Sequence, residues 1–203
     1  HFILLPPQEP AQHSYATDLG PGNTLMNQYM HRYFNVEMDK DAQMAKLGKA
    51  HLGLLAQLQQ LPFLAQGFPK TTGPELFNLA FLDSAQQASN SASLSAEDVM
   101  ATLCLFTAKE IAKGISLQAQ GLTAVAVYVS GGGLHNPLLM EMLKKEMPHF
   151  KIASFAELGL DPDAKEACLF ALLANETLAG NPQNVAHLKD APAVCMGKLC
   201  FPA

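Results

Sequence analysis

Three observations predict an α/β fold, a mixed sheet flanked by many helices, for this 203-residue chain. The run "LTAVAVYVS" at 122–130 is β-branched and almost continuously apolar, the pattern of a strand covered on both faces. It passes through "GGG" into a helical stretch, then a short strand, then a second helix, an alternation that argues for α/β architecture. Ahead of it, long segments of helical periodicity follow two short strand-like runs.

Taken in order, "FILL" at 2–5 and "HSYATD" at 13–18 read as two strands linked by the proline-rich "PPQEPAQ", a hairpin-like connection. The second strand ends on Asp18 and the turn Gly20-Pro21-Gly22. "NTLMNQYMHRYF" then places Leu25, Met26, Tyr29, Met30, Tyr33 and Phe34 on one helical face, read as core, with Asn23 as a candidate cap. Residues 39–61 continue as helix, interrupted near Gly48, until Pro62. A polar loop through Lys70, Thr71 and Thr72 leads to a helix begun by Pro74, a residue favoured at a first helical position. Ser95 with Asp98 resembles a capping arrangement that opens a long helix through about Ile115. After the glycines, "LHNPLLMEMLKKEM" is a helix entered through Asn136 and Pro137, and "KIASF" is a short strand. The last helix has Asp161 as cap, Pro162 in its first turn and Gly180 beyond its end. The chain reads as a single lobe over 1–203, with a helical insertion at about 23–118.

Composition bounds the function classes. A hydrophobic content of 49% suffices for a real core. A net charge of −5 without any basic run gives nucleic acid no electrostatic footing. No stretch approaches the apolar length of a membrane span, and "HFILLPP" lacks the basic start and cleavage site of a secretory signal, so a cytoplasmic protein is expected. The four cysteines form no C-x-x-C pair and read as buried thiols, and the seven histidines show no metal-ligand spacing. The chain opens on His1, not Met, and "FILL" looks like part of a sheet with nothing before it, so an upstream segment is expected.

A carboxylate at the end of a strand, beside a glycine turn that lets backbone approach a ligand, holds either a catalyst's position or a turn former's. The triple glycine Gly131, Gly132 and Gly133 is open to the same two readings, a tight turn or a nucleotide contact, since it matches neither the dinucleotide fingerprint nor the P-loop. Asn136 is either a ligand contact or a helix cap. Lys70, Thr71, Thr72 and Glu75 either close on a ligand or solvate a helix start.

Four motifs, "TDLGPGNTLMN", "PKTTGPELFN", "VSGGGLHNPLLM" and "GLDPDAKEACLFALLANETLAGNPQNV", stand in the order and spacing of the C-terminal part of bacterial anhydro-N-acetylmuramic acid kinases. The resemblance covers nearly the whole chain. It implies the second lobe of an actin-like, hexokinase-like (ribonuclease H-like) kinase fold, with ATP and a sugar in the cleft between two lobes. It implies Asp18 as the catalytic base that activates water. Gly20, Gly22, Asn23, Lys70, Thr72 and Glu166 would lie on the substrate side, and Gly131, Gly132, Gly133 and Asn136 on the nucleotide side. ATP and magnesium are the implied cofactors, with no protein metal ligand assigned. Glu166, matching the glutamate of the "DPDAKEA" pattern, is drawn either to the sugar or magnesium or simply to its helix N-terminus. The implied reaction opens 1,6-anhydro-N-acetylmuramic acid with water and phosphorylates its 6-oxygen, a step of peptidoglycan recycling.

The family's N-terminal phosphate-binding segment, close to "GTMSGTSLDG", has no counterpart in these residues, so the partner expected first is the N-terminal lobe of the same protein, and the chain alone is expected to be catalytically incomplete. A homodimer stays open. Leu19 stands where the family usually has Thr, Pro74 where it usually has Arg, and "LKDAPAV" replaces a "VTGA"-type run. These departures keep two alternatives in view: an actin-fold kinase for another carbohydrate, and a non-catalytic binding or regulatory lobe.

Overall fold

The computed structural model describes residues 2–5, 14–122, 125–184 and 194–195. The hairpin link expected at 6–12 and most of the "LKDAPAV" run lie outside them. Strands β1 (Phe2–Leu4) and β2 (Tyr15–Thr17) pair antiparallel, with Phe2 opposite Thr17. Four helices follow: α1 (Thr24–Phe34), α2 (Leu52–Leu58), α3 (Leu79–Ala88) and α4 (Ala96–Gln118). The chain then runs β3 (Ala126–Val129), α5 (Pro137–Glu146), β4 (Lys151–Ser154) and α6 (Lys165–Ala179). β3 and β4 pair in parallel, Ala126 opposite Lys151, and the crossover between them carries α5, as a parallel pair requires. The result is mixed α/β, with small sheets and a large helical layer.

α4 is the axis of that layer. Met100, Leu103, Cys104 and Phe106 are fully buried on it, and α1, α2, α3 and α5 all pack against it or its neighbours. Phe77 meets Phe63 edge-on at 5.9 Å between ring centroids and Phe106 at 6.4 Å, spacings at which aromatic pairs add to simple burial. The helix starts where the sequence says it should: Ser95 Oγ accepts from the Asp98 N–H at 3.1 Å. The carboxylate of Asp98 completes no reciprocal capping box; it takes the backbone N–H of Lys49 at 2.7 Å.

Several expected elements differ, each for a local reason. Residues 39–47 are not helix but two 3-10 turns, 40–42 and 45–47. Both carboxylate oxygens of Asp39 accept backbone N–H groups, from Met44 and Ala45 at 2.9 Å each, and this local competition replaces the helical ladder. The third helix begins at Leu79, capped by Asn78 Oδ1 accepting from the Phe81 N–H, and Pro74 stays in the preceding turn. Asn23 occupies the capping position of α1 without a side-chain bond to the helix. Tyr33 and Phe34, expected in the core, are exposed at 54% and 42% in the last turn of α1, where both rings meet that of Tyr29. Asp161 accepts from the Asp163 N–H at 2.9 Å and so closes a local turn; α6 starts later, at Lys165. Finally, β3 alternates exposed and half-buried residues, so it is not covered on both faces among the described residues.

Candidate active site

Asp18 leaves the end of β2 and meets the loop 70–72, which lies beside it. Its N–H donates to Lys70 O at 2.8 Å, while Thr17 Oγ1 donates to Lys70 O at 3.0 Å and accepts from the Lys70 N–H at 2.9 Å. The loop answers on the side-chain level: Thr72 N–H at 2.8 Å and Thr71 Oγ1 at 3.0 Å both donate to Asp18 Oδ2. Hydrogen bonds to an ionised carboxylate are short and strong, and two on one oxygen fix the plane of the group. The carboxylate is half-exposed, so it is oriented and still reachable.

Beyond Asp18 the chain turns through Gly20-Pro21-Gly22. Gly22 sits at φ +56°, in the left-handed region that glycine tolerates. A methyl group built on Gly20 would stand 3.3 Å from Glu110 Cβ, so the turn lies tight against α4. Asn23 reaches the triple glycine: a methyl built on Gly132 would stand 3.4 Å from Asn23 Nδ2. Gly131, at φ +75°, has open space where a side chain would be, which suits close approach of a nucleotide to backbone. Its own N–H donates to Pro162 O at 3.2 Å, and His135 Nε2 lies 3.0 Å from Asp163 Oδ1. Loop 70–72 thus meets Asp18, Asn23 lies beside Gly132, and Gly131 is bonded to Pro162, so each of these segments touches another.

Asn136 Oδ1 accepts from the Leu139 N–H at 2.9 Å, so its side chain caps α5, and Pro137 takes the first helical position. Glu166 lies exposed in the first turn of α6. Lys70 directs its ammonium away from Asp18: Nζ donates to Phe63 O at 2.9 Å and lies 4.6 Å from the Phe63 ring centroid. Burial pushes the Lys70 ammonium below the ordinary lysine range, the nearby charge of Lys113 adds to this, and Glu110 opposes it. These groups border a cavity of about 190 Å³ behind the turn, walled by Leu19, Phe68, Gly114 and Leu117. Two buried oxygens flank the Asp18 turn without a protein hydrogen-bond partner, Thr72 Oγ1 and Asn23 Oδ1. Buried polar groups are normally paired, and these two are suited to a ligand rich in hydroxyls.

Leu19 is 6% exposed and is turned into α4, where the absent side chain of Gly114 makes room for it. Thr107 and Glu110, also on α4, escaped the sequence reading. Their signal was a polar side chain on the apolar face of a long helix: they are 1% and 3% exposed, and Gln59 Nε2 donates to Glu110 Oε1 at 2.8 Å. Among the described residues there is no group of three or more His, Cys, Asp or Glu that could hold a metal ion. Among them, too, no helix is long and apolar enough to cross a membrane.

A family model described as anhydro-N-acetylmuramic acid kinase matches residues 3–202. A protein of that name from Pseudoalteromonas atlantica is 49% identical over 205 residues, covering all of this chain and 51% of its own length. Its counterpart from Pseudoalteromonas translucida is 46% identical, with 99% and 51% covered, and that from Vibrio parahaemolyticus 40% identical, with 94% and 50% covered. The chain spans about half the length of the curated relatives it matches. With the match running from end to end, the chain belongs to the anhydro-N-acetylmuramic acid kinase family.

Proposed function

We propose that this chain is the second, C-terminal lobe of an actin-like carbohydrate kinase that acts on 1,6-anhydro-N-acetylmuramic acid in cytoplasmic peptidoglycan recycling. The observation that carries the reading is the Asp18 carboxylate, oriented by Thr71 and Thr72 beside an open glycine turn. In the proposed reaction Asp18 takes a proton from a water molecule whose oxygen bonds to the anomeric carbon. The bond from that carbon to the 6-oxygen breaks, and the 6-oxygen receives the γ-phosphoryl group of ATP, releasing ADP. A carboxylate held in one orientation suits this proton transfer because a general base must be in place before the transition state. Gly20, Gly22, Asn23 and Thr72 would face the sugar, with the unpartnered oxygens of Asn23 and Thr72 meeting its hydroxyl or amide groups. Gly131, Gly132 and Gly133 would let the adenosine part of ATP approach backbone. Lys70, whose ammonium is engaged by Phe63, supports the loop that aims Asp18.

The test is ADP release by the full-length protein with ATP and the anhydro sugar, run in water enriched in the heavy oxygen isotope. Label at the anomeric carbon and phosphate on the 6-oxygen are expected. Turnover with a different carbohydrate only would transfer the reading to another kinase of the same fold, and no turnover with any sugar would end it.

A further inference from the structure

We propose that Thr107 of α4 is a positioning residue that holds the Asp18 turn at its catalytic depth, an inference that rests on the kinase reading above. The Thr107 hydroxyl is 1% exposed and donates to Gly22 O at 2.9 Å, across 85 residues of chain. A threonine inside a helix ordinarily returns its hydroxyl to the carbonyl one turn back. Two others in this protein do so: Thr102 Oγ1 donates to Asp98 O at 2.6 Å, and Thr177 Oγ1 to Leu173 O at 2.7 Å. Thr107 leaves its own helix and binds the turn.

The bond matters because it is a polar tie at the glycine end of the turn, where no side chain packs. Gly22 offers no side chain to pack, and one added to it would meet nothing within 4 Å. On the near side of Asp18, the segment is tied through Thr17 to Lys70. On the far side Thr107 adds a hydrogen bond to Gly22, just ahead of the buried Leu25 and Met26 of α1. Between them Gly20 rests on Glu110 and Leu19 on Gly114, so positions 107, 110 and 114 of α4 form one stripe under residues 19–22, at the spacing that places residues on a common helix face. Asp18 is therefore clamped at both ends of a short segment, by a loop on one side and by a helix on the other.

Thr107→Val keeps shape and volume and removes the donor; Thr107→Ala, made beside it, cannot overpack; Thr107→Ser keeps the donor. In the full-length protein the kinetic parameters with the anhydro sugar and the amide exchange of residues 18–24 are measured together. Val and Ala should lower kcat by about ten- to a hundredfold with the KM for ATP little changed, since small misplacement of a catalytic group is felt mainly in turnover. Exchange should accelerate at 18–24 and not along the rest of α4, and Ser should restore both. Unchanged exchange and kcat in Val and Ala would overturn the proposal. So would faster exchange spread over the whole helical layer, or failure of Ser to restore. A parent protein inactive on every sugar would sink the kinase reading alone, and the exchange comparison would still decide whether Thr107 fixes the turn.

Discussion

Thr72 donates its backbone N–H to Asp18 Oδ2 at 2.8 Å across 54 residues of chain. The contact is main chain to side chain, so no substitution at Thr72 other than proline removes it. It aims the carboxylate whatever the loop's side chains are, and it permits an exchange of Asp18 for asparagine that leaves an acceptor in the same place.

Asp18→Asn should therefore separate catalysis from architecture. Asparagine keeps an oxygen for the Thr72 N–H and removes the basic lone pair, and a general base contributes roughly 100- to 10,000-fold. The expected outcome in the full-length protein is a loss of turnover on that scale with the thermal midpoint almost unmoved. Near-normal turnover would take Asp18 out of the mechanism.

Gly48 is in an extended conformation open to any residue, φ −90° and ψ 168°, so an alanine there meets no backbone strain. Its methyl would run into the carbonyl of Glu97 and the N–H of Asp98, main-chain atoms at the start of α4. Gly48→Ala should cost about 1–3 kcal/mol, the usual range for overpacking. Gly67→Ala, where a methyl meets nothing within 4 Å, serves as the control and should be close to neutral. Denaturant unfolding of the two variants decides it; equal midpoints would refute the close approach.

Cys104 is fully buried on α4, and burial first, with the charge of Asp39 second, pushes its thiol up to about 12. The folded chain thus keeps a proton that the unfolded chain releases above about 9. The sign follows: this contribution is intact below pH 9 and is lost as pH rises from 9 toward 12, by up to about 1.4 kcal/mol per pH unit. Cys104→Ala should flatten that part of the pH dependence of unfolding. Thiol labelling at pH 8 should modify exposed Cys168 quickly and Cys104 only on opening of the helical layer. Rapid labelling of both would contradict the burial.

Asn136→Ala removes the cap of α5 and should cost about 1 kcal/mol of stability, while Asn136→Ser should recover most of it. If the serine variant is as unstable as the alanine variant, the side chain does something other than capping.

Much of this was legible in the sequence wherever the cause is local. Ser95, Pro137, Gly180 and the two strands before the Gly-Pro-Gly turn stand where short-range rules put them. The helix expected over 39–47 failed because Asp39 offers its carboxylate to Met44 and Ala45, a competition that apolar periodicity does not register. Pro74 suited a helix start, but Asn78 supplied a capping oxygen four residues later. At the candidate site, Asp18 and the triple glycine are singled out by residue type, each open to a structural as well as a ligand-contact reading. The loop of Lys70, Thr71 and Thr72 is singled out too, but its pairing with Asp18 is not, because the two meet only after more than 50 residues of intervening chain have folded. Thr107 was hidden in the same way, among the apolar residues of its helix.

The stripe of Thr107, Glu110 and Gly114 beneath residues 19–22 also limits how the molecule can be adjusted. Three contacts indexed to one helix face span seven residues, about 10 Å of helix axis. A slide of α4 by part of a turn would misalign the hydroxyl, the carboxylate-bearing side chain and the notch for Leu19 together. A comparable fit returns only about one turn, or ~5.4 Å, away, where different residues would have to serve. The depth of residues 19–22 against α4 is thus a stepped quantity. Modest strain on the turn would be resisted until the register slips altogether.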